Sequence, residues 1–309
     1  MGGAGKMGMK IRSSRGDKVF TLVNGALLAL LFVSILYPLI FVLSASFSDP
    51  RAVAAGKMLL FPVEPTVQGY QQIFAYREIW TGYLNTIVNT FLGTLINLAV
   101  TIPCGYALSR RDMPFRGAFM VYFMITMYFN SGLIPHYLNV RSLGLLNTRT
   151  ILVVGGAVSV YNLIVCRSFF ATSIPWELHE AARIDGASDA RTFFDVVLPL
   201  SKPIVVVIAL YCAVGHWNSY FTAMVYIQDR ALYPLQLVLR EILLKSQAVS
   251  AMINNTADPE AIMELYAQQD AANQIKYGVI VVSTLPMMLI YPWLQRFFAK
   301  GVMIGSVKG

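Results

Sequence analysis

Side chains able to do chemistry are sparse in this chain and gather in one stretch. Between Thr172 and Lys202 stand Glu177, His179, Glu180, Arg183, Asp185, Asp189, Arg191 and Asp195. No nucleophile–base pair and no paired catalytic carboxylates occur among them, so hydrolysis by this chain alone is not expected. His136, His179 and His216 are scattered over different depths and faces, which argues against a metal site. Cys104, Cys166 and Cys212 all sit inside apolar runs, odd in number and without ligand spacing, and read as small buried hydrophobes. Gly2-Gly3-Ala4-Gly5-Lys6 lacks the preceding strand, the four-residue gap and the following Ser/Thr of a phosphate-binding loop. Lys6 also breaks the myristoylation pattern.

The polar stretch carries its own folding instructions. Pro175 suits a first helical position, and Glu177 in the first turn complements the helix dipole. Gly186 fits a helix end, where a residue without Cβ takes positive φ cheaply. Ser188 can cap a second helix, Pro199 closes it, and Pro203 opens the next apolar run. Two short helices at an angle are therefore predicted. On the first, Leu178, Ala181, Ala182 and Asp185 recur at i, i+3, i+4 and i+7 and form one face, flanked by Glu180 and Arg183. The two alanines would let another backbone approach closely. Such a helix can dock into a groove of a partner protein or lie on lipid headgroups, and the pattern alone leaves both open.

The rest of the chain must hold this stretch in place, and its composition says how. Hydrophobic residues make up 56% and charged residues 13% of the 309, with mean hydropathy +0.59. A soluble domain carries roughly 25% charged residues, so long apolar stretches are expected to face lipid. Six runs reach the roughly 20 residues that cross a bilayer: Val19–Phe47, Leu84–Ser109, Gly117–Leu138, Ile151–Ala171, Pro203–Tyr226 and Tyr277–Phe298. The first contains Pro38, so a kink or an interfacial end is expected there. It is too long for a signal-peptide core and reads as an uncleaved helix.

With the N-terminus inside, fifteen of the 24 Lys and Arg residues fall in the inner segments and nine in the outer ones. The turn Arg110-Arg111-Asp112-Met113-Pro114-Phe115-Arg116 is the clearest anchor, and both termini are placed in the cytoplasm. The net charge of +8 follows this pattern and forms no stripe with interleaved aromatics, so nucleic acid is not an expected partner. The expected organisation is a cytoplasmic tail (1–18), a transmembrane domain (19–298) and a second cytoplasmic tail (299–309). Within the domain lie an inner loop (172–202) and outer segments (48–83 and 227–276). In the second outer segment Leu235, Val238, Leu239 and Ile242 form an apolar stripe, open to a docking protein or a neighbouring subunit. Asp258-Pro259-Glu260 reads as a helix start.

Polar and aromatic groups within the spans mark a candidate solute path: Tyr128 and Asn130 on the third, His216, Trp217, Asn218 and Tyr220 on the fifth. Asn89 and Asn97 on the second and Tyr161 and Asn162 on the fourth join them. Amides, phenols and an indole suit a neutral sugar, which offers hydroxyls and apolar ring faces. They equally suit hydrogen bonding between helices. An ion-coupled secondary transporter is the alternative, but its usual intramembrane carboxylate or internal repeat is not visible.

Glu180-Ala181-Ala182, Gly186 after three intervening residues, and Leu198-Pro199 beyond resemble the EAA motif of ABC importer permeases, and the likeness extends over Ile174–Pro203. It sits between the fourth and fifth spans, where that family carries it. The resemblance implies a type I ABC importer permease, an all-α polytopic fold of six transmembrane helices in a bacterial plasma (inner) membrane. It further implies that Glu180, Ala181, Ala182, Asp185 and Gly186, with Leu198 and Pro199, form a coupling helix and its turn, docked on an ATPase. ATP and Mg would be bound by that dimer of ATPase subunits, and this chain would hold no cofactor. A second homologous permease and an extracytoplasmic solute-binding protein are the other implied partners. The tail Gln295–Gly309 resembles the maltose-type carbohydrate permeases. Asn130-Ser131-Gly132-Leu133-Ile134-Pro135 resembles the subgroup importing polysaccharide-derived oligosaccharides.

Overall fold

A computed structural model describes residues 14–129, 131–255 and 258–305, all helix, turn and loop, with no strand among the described residues. Tail residues 1–13, Asn130 and residues 306–309 lie outside them. The first long helix, α1, runs Arg15–Ser46, opened by a capping box in which Ser14 and Asp17 satisfy each other's backbone N–H groups. Pro38 lies inside it without ending it. None of its most apolar window is buried, so it presents hydrocarbon-compatible surface all round. Two short helices, α2 (Pro50–Ala54) and α3 (Gln68–Ala75), lead to the central helix α4 (Arg77–Ser109).

The buried side of α4 is a stripe of small and polar residues: Gly82, Asn85, Asn89, Gly93, Asn97, Thr101 and Gly105. Small residues let helices approach closely where lipid supplies no hydrophobic drive, and amides then bond across the gap. A Cβ on Gly93 would fall 2.3 Å from the His216 ring, and one on Gly105 2.9 Å from Cys166 Sγ. The helices carrying those residues, α8 (Val160–Ser173) and α11 (Lys202–Trp217), lie directly on α4.

Three predicted spans are not continuous. The third is split into α5 (Arg116–Tyr128) and α6 (Leu133–Ser142), which meet at 112°. The fourth is split into α7 (Arg149–Val154) and α8 by the Gly155–Ser159 segment. The fifth ends at Trp217 and resumes as α12 (Phe221–Tyr226). Among the described residues, the helices long and apolar enough to cross on their own are α1, α4 and Glu260–Ile290. The physical reason is local: Gly132 at φ 80 and the Gly155-Gly156 pair favour departure from helix, which apolarity alone does not register.

The stripe Leu235, Val238, Leu239 and Ile242 on α13 (Leu235–Asn255) is buried within the chain, against Ile73, Ile79 and Val279. It is therefore not open to a docking partner, and the sequence expectation is corrected. The last helix, α14 (Pro259–Gly305), starts where predicted, with the Asp258 carboxylate accepting from the Glu260 N–H at 3.1 Å.

Candidate functional site

The polar stretch folds as two helices in an elbow, α9 (Trp176–Ile184) and α10 (Asp189–Leu200, with a π-helical turn at Thr192–Val197). Gly186 makes the bend at φ 74, and the Ala187 N–H closes the last turn on the Ala182 carbonyl at 2.9 Å. The Ser188 side chain caps α10 by accepting from the Arg191 N–H. Two details differ from expectation. Pro175 is the N-cap residue rather than the first helical one, and Pro199 lies inside α10, which ends at Leu200 before meeting α11 at 81°.

One face of α9 is seated, the opposite one free. Ala182 is buried and Leu178 rests on a core made of Ile102 and Tyr106 of α4, Phe170 of α8, Ile174, Phe193 and Val197 of α10, and Ile204 of α11. The predicted single face is thus split: Leu178 and Ala182 turn inward, whereas Ala181 and Asp185 turn to the surface. Tertiary packing, which sequence spacing does not register, chose the narrower stripe. The free face instead reads Glu177, Glu180, Ala181 and Ile184, and Ile184 is 86% exposed. Leu198 rests against the same core, with Pro199 at the surface beside it. The sequence pattern assigns Ile184 no contact role, because it falls outside the Leu178, Ala181, Ala182 and Asp185 face. Its i+4 relation to Glu180 was the available signal.

The seat is aromatic and charged. The His179 ring is stacked between Trp176 (5.2 Å, 17°) and Tyr106 (5.7 Å, 12°), and among the described residues neither ring nitrogen makes a well-formed hydrogen bond. Tyr106 also contacts Phe170 and Phe193, joining α4, α8 and α10. One turn on, Arg110 donates to Asp112 at 2.5 and 2.8 Å and to Asp189 at 2.6 Å, tying the end of α4 to the first residue of α10. These bonds hold the Asp112 carboxyl below its ordinary range and push the Arg110 guanidinium further up. Neither Tyr106 nor Arg110 was singled out from sequence as part of the elbow's seat.

Burial lowers the His179 pKa from its ordinary 6.5, aided by Arg110 and opposed by the Pro175 carbonyl, Asp112 and Asp189. The folded chain thus holds a neutral imidazole. Between the lowered folded value and 6.5 the unfolded chain binds more protons, so stability is full above 6.5 and falls as pH drops through that window. Acidification below neutrality is expected to loosen the elbow, and His179→Phe, which keeps the ring stack, to remove that pH dependence. Thermal unfolding of the detergent-solubilised protein across pH 5–8 (roughly the range in which histidines titrate) checks this. An identical pH slope in the two proteins would exclude His179 as its source.

The candidate solute-path residues divide. His216 bonds Asn97 at 2.8 Å, and the Asn97 amide donates to the Gly156 and Ala157 carbonyls at 2.7 and 2.8 Å. Trp217 is buried, its indole N–H donating to the Ser283 carbonyl at 3.1 Å. Asn218 is exposed and bonds back to Val214, closing α11. Asn162 is buried with its amide on Cys212 Sγ, and the Asn89 carbonyl accepts from Arg149. His216, Trp217, Asn97 and Asn162 are therefore inter-helix fasteners. Tyr128 and Tyr220 remain exposed, the latter with the Arg240 guanidinium 5.3 Å above its ring. Asn130 lies outside the described residues. The elbow and the exposed aromatics are not brought together; they occupy opposite ends of α5 and α11.

Comparison with known proteins follows the same lines. Residues 79–304 match the model of the family described as binding-protein-dependent transport system inner membrane component. The polygalacturonan/rhamnogalacturonan transport system permease protein YtcP of Bacillus subtilis is 38% identical over 93% of this chain and 97% of its own. The maltodextrin transport system permease protein MalD of Streptococcus pneumoniae is 24% identical over 90% and 92%. A chain in the crystal structure of a bacterial ABC transporter importing the acidic polysaccharide alginate superposes with TM-score 0.81 at 34% identity, over 93% of this chain and 99% of that one. The family match spans well over half of the chain, and this chain belongs to the binding-protein-dependent transport system inner membrane component family.

Proposed function

We propose that this ABC importer permease subunit carries an oligosaccharide, and that the free face of α9 is where work from a separate ATPase enters. The observation that carries the reading is the division of α9. An exposed isoleucine shares one side with the carboxylates of Glu177 and Glu180, and a stacked aromatic seat lies on the other. A helix held this way moves as a unit with α4, α8 and α10, so a push on Ile184 shifts spans rather than melting a loop. In this reading the elbow and both termini face the cytoplasm. ATP and Mg belong to the ATPase dimer, a second homologous permease completes the pore, and an extracytoplasmic binding protein delivers the solute.

Support for a sugar cargo comes from the relatives named for polygalacturonan, maltodextrin and alginate. Exposed phenols and rings near the helix breaks, Tyr128, Phe129, Tyr220 and Phe221, give such a cargo ring faces to stack on. The test is copurification of the tagged subunit with its ATPase from membranes. Ile184→Asp places a charge in the proposed contact and is expected to weaken ATPase retention about tenfold, equivalent to roughly 1.4 kcal/mol. Glu180→Lys should act in the same direction. Full retention of the ATPase by both variants would remove α9 as the docking element.

A further inference from the structure

Three spans are interrupted at one level. From the elbow end, α5 runs 13 residues and α11 runs 16 before stopping, and α8, followed back from Ser173, runs 14. At about 1.5 Å per residue the breaks lie roughly 20, 24 and 21 Å along the bundle. They also meet in space. Gly132 and His136 from beyond the first break, Gly155 from the second, and Phe221, Thr222 and Tyr226 from beyond the third line one cavity of about 270 Å³.

Interrupted helix inside a bilayer leaves backbone groups that hydrocarbon cannot satisfy, so it is tolerated where it is buried in protein or lines a water-filled cavity. At roughly 20–24 Å the breaks lie in the outer half of a hydrocarbon core about 30 Å thick, and convergence of interrupted helices on one cavity is how transporters build solute sites. The lining suits a sugar. His136, exposed, and Thr222, half-buried, bring an imidazole and a hydroxyl to the lining. Phe221 is 50% exposed and offers a ring face. Tyr226 is fixed by stacking on Tyr137 and by the edge of His136, giving a rigid wall. The volume lies just under the roughly 300–1,000 Å³ of pockets for drug-sized ligands, which is space for one ring and not for a chain.

We propose that this cavity, where the third, fourth and fifth spans break, is a subsite for one pyranose ring of the cargo. Phe221 stacks on its face, and Thr222 and His136 bond its hydroxyl or carboxylate oxygens. The site rests on the reading that the cargo is an oligosaccharide. It replaces His216 and Trp217, which are committed to packing, with residues in the first helical turn beyond two of the breaks.

The experiment is uptake of labelled tetragalacturonate and of maltotetraose into liposomes holding the whole complex with its binding protein, read beside ATPase stimulation. Phe221→Ala is expected to lower uptake of the transported probe roughly tenfold. Thr222→Trp, which fills the cavity, should lower it further, and Thr222→Val, which removes only the hydroxyl, should raise the half-saturating concentration a few-fold. ATPase stimulation by the loaded binding protein should stay within about twofold of wild type, because the elbow is untouched. Wild-type uptake by all three variants overturns the subsite and leaves the oligosaccharide reading standing. Equal loss of uptake and ATPase stimulation in Phe221→Ala also overturns it, since that marks a structural role. A wild-type complex that takes up neither probe overturns the oligosaccharide reading and the subsite with it. If Thr222→Trp fails to copurify with its partners, Phe221→Ala and Thr222→Val decide.

Discussion

Gly186→Pro is expected to cut ATP-driven uptake about a hundredfold, while the protein still inserts and still associates with its partner permease. Three independent costs fall on one residue. Gly186 holds φ at 74, a value proline cannot adopt, since its ring fixes φ near −65°. Its N–H donates to the Arg183 carbonyl at 3.1 Å, and proline has no such donor. The preceding Asp185 sits at φ −74, ψ 4, a conformation disfavoured before proline. Together these amount to about 3 kcal/mol, which at about 1.4 kcal/mol per decade gives the hundredfold loss of the elbow's native angle. No atom lies within 4 Å of a Cβ built at this position, so a clash cannot be blamed. That permits a graded series. Asn tolerates positive φ and should retain most uptake, Ala should lose about tenfold because left-handed backbone costs an L-residue roughly 1–2 kcal/mol, and Pro should lose most. The series is read as uptake and stimulated ATPase in liposomes. Equal activity in the alanine and proline variants would show that the angle of the elbow is irrelevant to coupling.

Arg110→Ala is expected to uncouple the machine, with uptake per ATP hydrolysed falling roughly thirtyfold and basal ATPase little changed. Arg110 keeps only 13% of its side chain exposed and ties the end of α4 to the turn at Asp112 and to the start of α10 through Asp189. The two-pronged grip on Asp112 is the stronger part. The Asp189 carboxylate is 80% exposed, and screening by water makes that bond worth little by itself. Hydrogen bonds to charged groups contribute about 1.5–3 kcal/mol, and after discounting the exposed partner about 2 kcal/mol remains. Arg110→Lys keeps the charge but lacks the planar fork, so it can satisfy one carboxylate and should fall between. Because the Asp112 carboxyl titrates below its ordinary 3.8, its contribution is present above that value and lost only as pH falls through the lower one. The Arg110 link should therefore be insensitive to pH near neutrality, in contrast to His179. A wild-type ratio of uptake to hydrolysis in Arg110→Ala would remove this link from the transmission path.

Apolar composition, the low charge content and the placement of bases made a helical membrane protein legible from the chain alone. The elbow was legible too, because its signals are local: Glu177 for the dipole, Gly186 for positive φ and Ser188 for the cap each act within one turn. What α9 shows to a partner was not. Leu178, Ala181, Ala182 and Asp185 share a face by spacing, yet which part of that face is spent on the chain's own core depends on Tyr106 and Phe193, more than 70 residues apart in sequence. The same holds for His216 and Trp217, whose types suit a sugar but whose partners Asn97 and Ser283 turn them into fasteners. Apolarity sums over about 20 residues and cannot register breaks of three to five residues. Gly132 and the Gly155-Gly156 pair mark two of the interruptions locally, but that residues from all three broken spans meet around Thr222 was decided only by tertiary structure.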